Sequence, residues 1–368
     1  MIKPKILIVG SFPKSKKKIY GGIFKSCEIL YNSEEFSSFN IITLDSSQIS
    51  NPPPSFPVRA FYALIRIFRF PLILLFQKPK SVLIFCSDGA SAIEKGLMII
   101  ISRILGIPSL IFPRAGNLIK QAEESRTFLY LIKIMFSKSE MFLAQGEKWK
   151  KFAQESLNIS PSKVTIIKNW TATNDLFKIG MERKINIKEH GLKILFVGWL
   201  EKEKGIQELL TALKNLRKRD INFNMTFIGD GKIASQAKRF ITSNDLNNQV
   251  SFEGWLDFDE IKKHLKISDI FILPSWQEGM PNALIEALAS ALPSIVTSVG
   301  AIPDYLKNLE NAILVKPRSS RVLEDALHSL ITDFELRKKL SKNGLLVAKN
   351  VFLSKRSLEN LYKVINQT

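Results

Sequence analysis

Apolar positions along this chain follow two recurring patterns. Short unbroken runs of Ile, Leu, Val and Phe read as strands buried on both faces, and longer stretches with helical periodicity read as helices packed over them. The run Lys5-Ile-Leu-Ile-Val-Gly10 is repeated almost letter for letter as Lys193-Ile-Leu-Phe-Val-Gly198. Further strand-like runs are expected at 81–86, 109–112, 141–144 and 164–167 in the first half. In the second half they are expected at 224–228, 250–252, 270–273, 293–296 and 312–315. Strands alternating with helices imply parallel sheets covered on both faces, and a strand–glycine–helix opening is how a doubly wound α/β half begins. The polar, weakly patterned stretch 178–192 reads as a linker. Two domains are therefore expected, at 1–184 and 185–352, with 353–368 as a helix packing back toward the first.

Length and composition agree with this division. At 368 residues the chain exceeds what one core usually organises, and 45% apolar with 24% charged residues excludes general disorder. Two Cys (Cys27, Cys86) exclude a disulfide scaffold or a Cys-rich zinc site, and three scattered His (His190, His264, His328) form no metal cluster. The four apolar residues before Gly10 are too few for a secretory leader, which needs roughly 7–15. Neither 60–76, with Arg66, Arg69 and Pro71, nor 97–112, with Arg103, Gly106 and Pro108, reads as a membrane span. A soluble, cytoplasmic protein is the expectation.

Charge is concentrated in the first half. Residues 1–185 hold 27 Lys and Arg against 13 Asp and Glu, out of 53 and 34 in the whole chain. The densest cluster is Lys14, Lys16, Lys17 and Lys18. Such a face suits nucleic acid, anionic lipid or a phosphorylated substrate, and it is equally what a Lys-rich overall composition produces. The segment 61–76 sharpens the question. Arg66 and Arg69 lie three apart on one helical face, and the rest is nearly all apolar with four Phe. It reads either as a helix lying in a membrane interface with its Arg toward headgroups, or as a helix packed on a sheet.

The richest chemistry lies in 270–289. A strand ends at Pro274, a loop carries Glu278 and Gly279, Pro281 suits a first helical turn, and a strong helix-forming run follows. The N–H groups at Gly279, Met280 and Asn282 then suit a diphosphate. Glu286, inside the helix, suits the vicinal diol of a ribose, and Glu278 would face a sugar beyond the diphosphate. Either glutamate alone is equally a residue that complements the helix dipole or sits in solvent. Asp257-Phe-Asp259 has a metal-binding spacing, yet it precedes a helical run, so one Asp is most simply an N-cap. No metal and no cofactor are expected.

With these motifs in place, the chain resembles the GT-B glycosyltransferases that use nucleotide-diphospho-sugars, specifically the retaining glycosyltransferase family 4 group. Glu278 and Glu286 match its Glu-x7-Glu motif, and Gly198-Trp-Leu-Glu-Lys-Glu-Lys-Gly205 matches its Gly-Arg-Leu-x-x-x-Lys-Gly loop. The resemblance implies two facing Rossmann-like domains with an interdomain cleft that closes over the substrates. It implies that Lys204 binds the donor diphosphate and that Gly198 and Gly254-Trp255-Leu256 lie near the donor. Trp199 stands where the family has Arg, and Lys202 is the nearest substitute cation. In the first domain, Gly21 and Gly22 would approach the donor, though each is equally an ordinary turn glycine. Arg114 and Asn117 would face the acceptor, where relatives often carry a His.

The implied function is retaining transfer of a hexose or N-acetylhexosamine from a nucleotide-sugar, the co-substrate, to a hydroxyl of a lipid-linked or saccharide acceptor. The implied setting is bacterial surface-polysaccharide synthesis. The basic first domain would rest on the anionic inner face of the cytoplasmic membrane. Two alternatives stay open: a basic nucleic-acid-binding protein, and an inactive GT-B scaffold. The Lys14–Lys18 cluster lacks interleaved aromatics, so no nucleic acid is expected.

Overall fold

A computed structural model describes residues 3–12, 21–47, 54–188 and 191–368 of the protein. Lys14, Lys16, Lys17, Lys18 and His190 lie outside the described residues. The chain forms two compact units, Met1–Trp170 with Ser354–Thr368, and Thr171–Leu353.

The first unit holds strands β1 (Lys5–Gly10), β2 (Asn40–Asp45), β3 (Ser81–Cys86), β4 (Ser109–Pro113), β5 (Met141–Ala144) and β6 (Val164–Ile166). They form a parallel sheet in the order β2-β1-β3-β4-β5-β6. Alternate residues of each central strand enter different cores. Leu7, Val9, Val82 and Ile84 pack on one face, and Ile6, Ile8, Leu83 and Phe85 on the other. That two-sided burial is why these strands are unbroken apolar runs. The sequence pattern missed β2. It is an edge strand whose residues are mostly half-exposed, so its composition lacks the buried signature.

Helices α1 (Gly22–Tyr31), α2 (Phe56–Gln77), α3 (Ala90–Ile104) and α4 (Asn117–Glu124) follow β1, β2, β3 and β4. The helix Ser354–Gln367 belongs to this unit, where Leu358, Leu361 and Ile365 join the core of Phe36 and Phe39. Tyr362 sets its ring against both of those phenylalanines, at 6.0 and 5.4 Å.

The second unit holds β7 (Leu192–Val197), β8 (Phe223–Ile228), β9 (Val250–Gly254), β10 (Ile270–Leu273), β11 (Ser294–Thr297) and β12 (Ile313–Val315). Their order is β12-β11-β10-β7-β8-β9, again parallel. Strand order reverses between β10 and β7. The loops leaving the carboxyl ends of the two strands on either side of such a reversal are where this architecture places its ligands.

The division between units falls at Trp170–Thr171, ahead of the 184/185 boundary read from the sequence. The stretch 178–192 is not a free linker. It starts inside the helix Asn174–Glu182, whose Leu176 and Phe177 are buried in the second core. Arg183 then donates to the carbonyls of Ser290 at 2.6 Å and Ser268 at 2.7 Å, and to that of Leu265. Burial pushes its guanidinium down to about 10. The fully buried Arg337 donates to the carbonyls of Asn186 at 3.0 Å and Lys188 at 2.8 Å. Polar composition signalled a loop there, while Arg337 supplies donors for its carbonyl groups and Arg183 ties it to carbonyls of the second unit.

Candidate active site

The second-unit site is built by the strand reversal. Because β7 and β10 are neighbours, with Ile194 opposite Ile270, the loop after β7 runs beside the loop after β10. The approach is close. Gly205 has φ +70°, and a Cβ there would lie 2.1 Å from the Pro274 carbonyl oxygen. Only a residue without a side chain lets the two loops meet in this conformation. The Trp276 amide donates to the Glu203 carbonyl at 2.7 Å and fastens them together.

Across that seam the Lys204 ammonium meets the Glu278 carboxylate at 2.6 Å. The Ser275 hydroxyl donates to the same oxygen at 2.7 Å. The Lys204 side chain is 25% exposed and that of Glu278 is 9% exposed, so the pair sits at a rim with the carboxylate turned inward. Four residues beyond Glu278, the helix Asn282–Ala289 begins after Pro281, whose own side chain makes no capping hydrogen bond. Glu286 is buried inside that helix. The Glu-x7-Glu spacing therefore places one carboxylate just ahead of the helix and the other about one turn inside it.

The remaining donor-side candidates gather at the ends of β7, β8 and β9. Gly198 donates to the Ile228 carbonyl at 3.0 Å, and Gly229 donates to the Gly254 carbonyl at 2.7 Å. Gly229 has φ +128°, and a Cβ there would lie 1.9 Å from the Gly198 oxygen, which keeps these turns in contact. Trp199 is set edge-on against Trp255, with ring centroids 4.6 Å apart. The residue that stands in place of an arginine is thus half of an aromatic pair. Lys202, the nearest substitute cation, sits toward the neighbouring loop. Its ammonium lies 5.6 Å from the Trp276 ring.

Sequence reading missed three residues of this shell: Ser275, Trp276 and Arg318. The Arg318 guanidinium lies 4.4 Å from the Trp276 ring centre. The indole N–H of Trp276 donates to Glu208 at 3.0 Å. Trp276 was legible as part of the 270–289 run. Arg318 carried no signal, because it arrives from the loop after β12, far along the chain.

In the first unit the candidates also lie beyond strand ends. Gly21 precedes α1 with an extended φ of −155°, and a Cβ there would meet nothing within 4 Å. A tight turn is therefore not what requires this glycine. The Ser26 hydroxyl bridges from the Gly22 carbonyl, at 3.0 Å, to Arg114, whose Nη2 donates to it at 3.0 Å. Arg114 lies over the rings of Phe112 and Trp170 at 4.8 and 5.5 Å. Burial pushes it down to about 10. Asn117 donates to Asp88 at 2.8 Å, adding an acidic residue the sequence reading passed over. Burial pushes the Cys27 thiol up to about 12 and Cys86 higher still, so neither is a thiolate nucleophile at neutral pH.

Asp257 accepts from the Glu260 amide at 3.0 Å and caps the helix Phe258–Ile267, while the exposed Asp259 pairs with Lys262. Among the described residues no group of His, Cys, Asp and Glu is placed to hold a metal.

Two Rossmann-like units of six parallel strands define the GT-B class of fold. Along 99% of this chain and 98% of the other, the fold superposes on a sucrose-phosphate synthase from Thermosynechococcus elongatus with a TM-score of 0.76 at 15% identity. Residues 178–346 match the family described as Glycosyl transferases group 1. An amylovoran biosynthesis glycosyltransferase of Erwinia amylovora, AmsK, is 34% identical over 143 residues, covering 36% of this chain and 35% of that protein. The Escherichia coli UDP-Gal:alpha-D-GlcNAc-diphosphoundecaprenol alpha-1,3-galactosyltransferase is 25% identical over 263 residues, covering 66% and 65%. The chain spans about two fifths of the length of the first curated relatives it matches.

Proposed function

We propose that the protein is a glycosyltransferase. It moves a hexose or N-acetylhexosamine from a nucleotide-diphospho-sugar to a hydroxyl of a lipid-linked or saccharide acceptor in surface-polysaccharide synthesis, with retention at the anomeric carbon. The observation that carries this reading is the Lys204–Glu278 pair at the amino-terminal end of the helix Asn282–Ala289, with Glu286 buried inside that helix. A partly exposed ion pair is worth only about 1 kcal/mol or less, so a diphosphate with two or more charges competes for the ammonium successfully. Lys204 then exchanges its carboxylate for phosphate. Glu278, its Oε1 still held by Ser275, presents its other oxygen to the hydroxyls of the sugar.

In the reaction the bond from the anomeric carbon to the diphosphate oxygen breaks, and a bond to the acceptor oxygen forms on the same face. The leaving phosphate takes the acceptor proton. Lys204 and the N–H groups ahead of the helix Asn282–Ala289 stabilise the charge that develops on the phosphate. Glu286 holds the ribose. Arg114 and Asn117 serve the acceptor. The named substrate of the E. coli relative, a lipid diphosphate, supports an acceptor of that kind. A bilayer-linked acceptor favours a protein that rests on an anionic inner membrane face.

The test is a thermal-shift series with UDP-, GDP- and ADP-sugars. One donor should raise the melting temperature by mass action, and Glu286→Ala should shift that response to higher donor concentration. Absence of a response to every nucleotide-sugar defeats the reading.

A further inference from the structure

The largest departure from ordinary surface chemistry lies on α2. Phe61, Leu64, Ile65, Phe68, Leu72 and Phe76 are all exposed, Phe68 to 72% and Phe76 to 79%. At about 100° per residue these six fall within roughly a third of the helix circumference. Phe70 and Leu74, on the opposite side, are buried in the first-unit core. α2 is therefore apolar nearly all round, with one side in protein and the other uncovered. Isolated exposed apolar residues need no explanation, but a continuous stripe along a 22-residue helix marks a contact surface.

Charge identifies what covers it. α2 contains three arginines and no acidic residue. Arg66 does not point to a headgroup, as its spacing from Arg69 first indicated. It turns inward and makes a two-pronged contact with Glu94, at 2.6 and 3.1 Å. Arg59, Arg69 and Lys78 are exposed, and among the described residues none has a carboxylate partner. Arg69 flanks the apolar stripe, where its stem can lie along apolar surface while its head reaches water or phosphate. A second copy of the chain would bring the same cations against each other. Among the described residues no helix is long and apolar enough to cross a membrane.

We propose that the exposed stripe of α2 is a bilayer-seating face: the helix lies in the plane of an anionic phospholipid surface, apolar side down, with Arg69 at the phosphates. The inference rests on the proposed transferase reading for its purpose, placing the enzyme where a lipid-linked acceptor resides. The face itself is argued from α2 alone.

The experiment is vesicle flotation of the full chain with phosphatidylcholine vesicles and with vesicles carrying 30% phosphatidylglycerol. The protein should float with the anionic vesicles, and Phe61→Asp combined with Phe68→Asp should lower the bound fraction about tenfold or more. Both positions are exposed, and an unchanged circular dichroism spectrum checks the fold. Phe68→Trp should show a blue-shifted emission on anionic vesicles, quenched by brominated acyl chains. No flotation, or equal flotation of the double variant, overturns the proposal. So does a dimer that the double variant dissociates, which assigns the stripe to a second copy. Nucleotide-sugar thermal shifts on the same samples separate the two readings: vesicle binding without any donor response sinks the transferase reading and leaves the membrane face standing.

Discussion

Two lysine–glutamate pairs in this protein are nearly equal in length and opposite in setting. Lys204 and Glu278 meet at 2.6 Å from loops 74 positions apart, with the ammonium a quarter exposed. Lys95 and Glu94 are chain neighbours on α3 that meet at 2.9 Å, and both are buried. Glu94 also takes Arg66, so this second cluster pins α2 to α3. Burial pushes the Glu94 carboxyl up, but the charges of Lys95 and Arg66 outweigh it and hold the group below its ordinary range. Burial also pulls the Lys95 ammonium down, only partly offset by Glu94. A buried pair is expensive to break and slow to exchange, whereas a rim pair is worth little and is free to trade partners. The same chemistry thus serves as a fastening in one unit and as a replaceable contact in the other.

The comparison is most exposed to Glu94→Gln. It strands two cations inside the first unit and should cost about 3–5 kcal/mol, read as a lowered urea midpoint. A cost below about 1 kcal/mol would remove the contrast. Lys204→Ala should leave the urea midpoint nearly unchanged and lower turnover about 10²–10³-fold, as expected when a cation that stabilises a leaving group is lost. If stability fell and turnover did not, the rim pair would be structural. Gly205→Ala forces a Cβ against the Pro274 oxygen at a left-handed φ, and should cost about 1–3 kcal/mol and weaken donor binding together, since it separates the two loops.

Acid should act on the buried pair as well. The Glu94 carboxyl is held below its ordinary value of 4.5, so its contribution is complete above that pH and lost as pH falls through the folded-state value. The melting temperature should therefore drop on the acid side of 4.5, and Glu94→Gln should flatten that limb. Smallest of all, Glu278→Gln should move stability by less than about 1 kcal/mol while changing donor response.

Much of this molecule is written locally. The repeat of Lys5–Gly10 at Lys193–Gly198 announced two similar units, because strands buried on both faces must be apolar without interruption. β2 escaped notice for the converse reason: an edge strand, half-exposed, has no such constraint. The Glu-x7-Glu spacing and the helix after Pro281 were legible because a helix start and its carboxylates are local in sequence. The helical character of 61–76 was legible too, but the direction of Arg66 was not, since its partner Glu94 lies on another helix.

The sequence by itself determined which segments become strands and helices and which residues carry charge, because those properties follow from composition and period over a few residues. Only the tertiary structure decided what meets what. Placing β10 beside β7 brings Lys204 to Glu278 and Trp276 to Glu203, and packing α2 on α3 turns Arg66 inward while leaving Phe68 outside. Strand order and helix docking are set by long-range burial, a sum over many distant contacts that no short stretch of sequence displays.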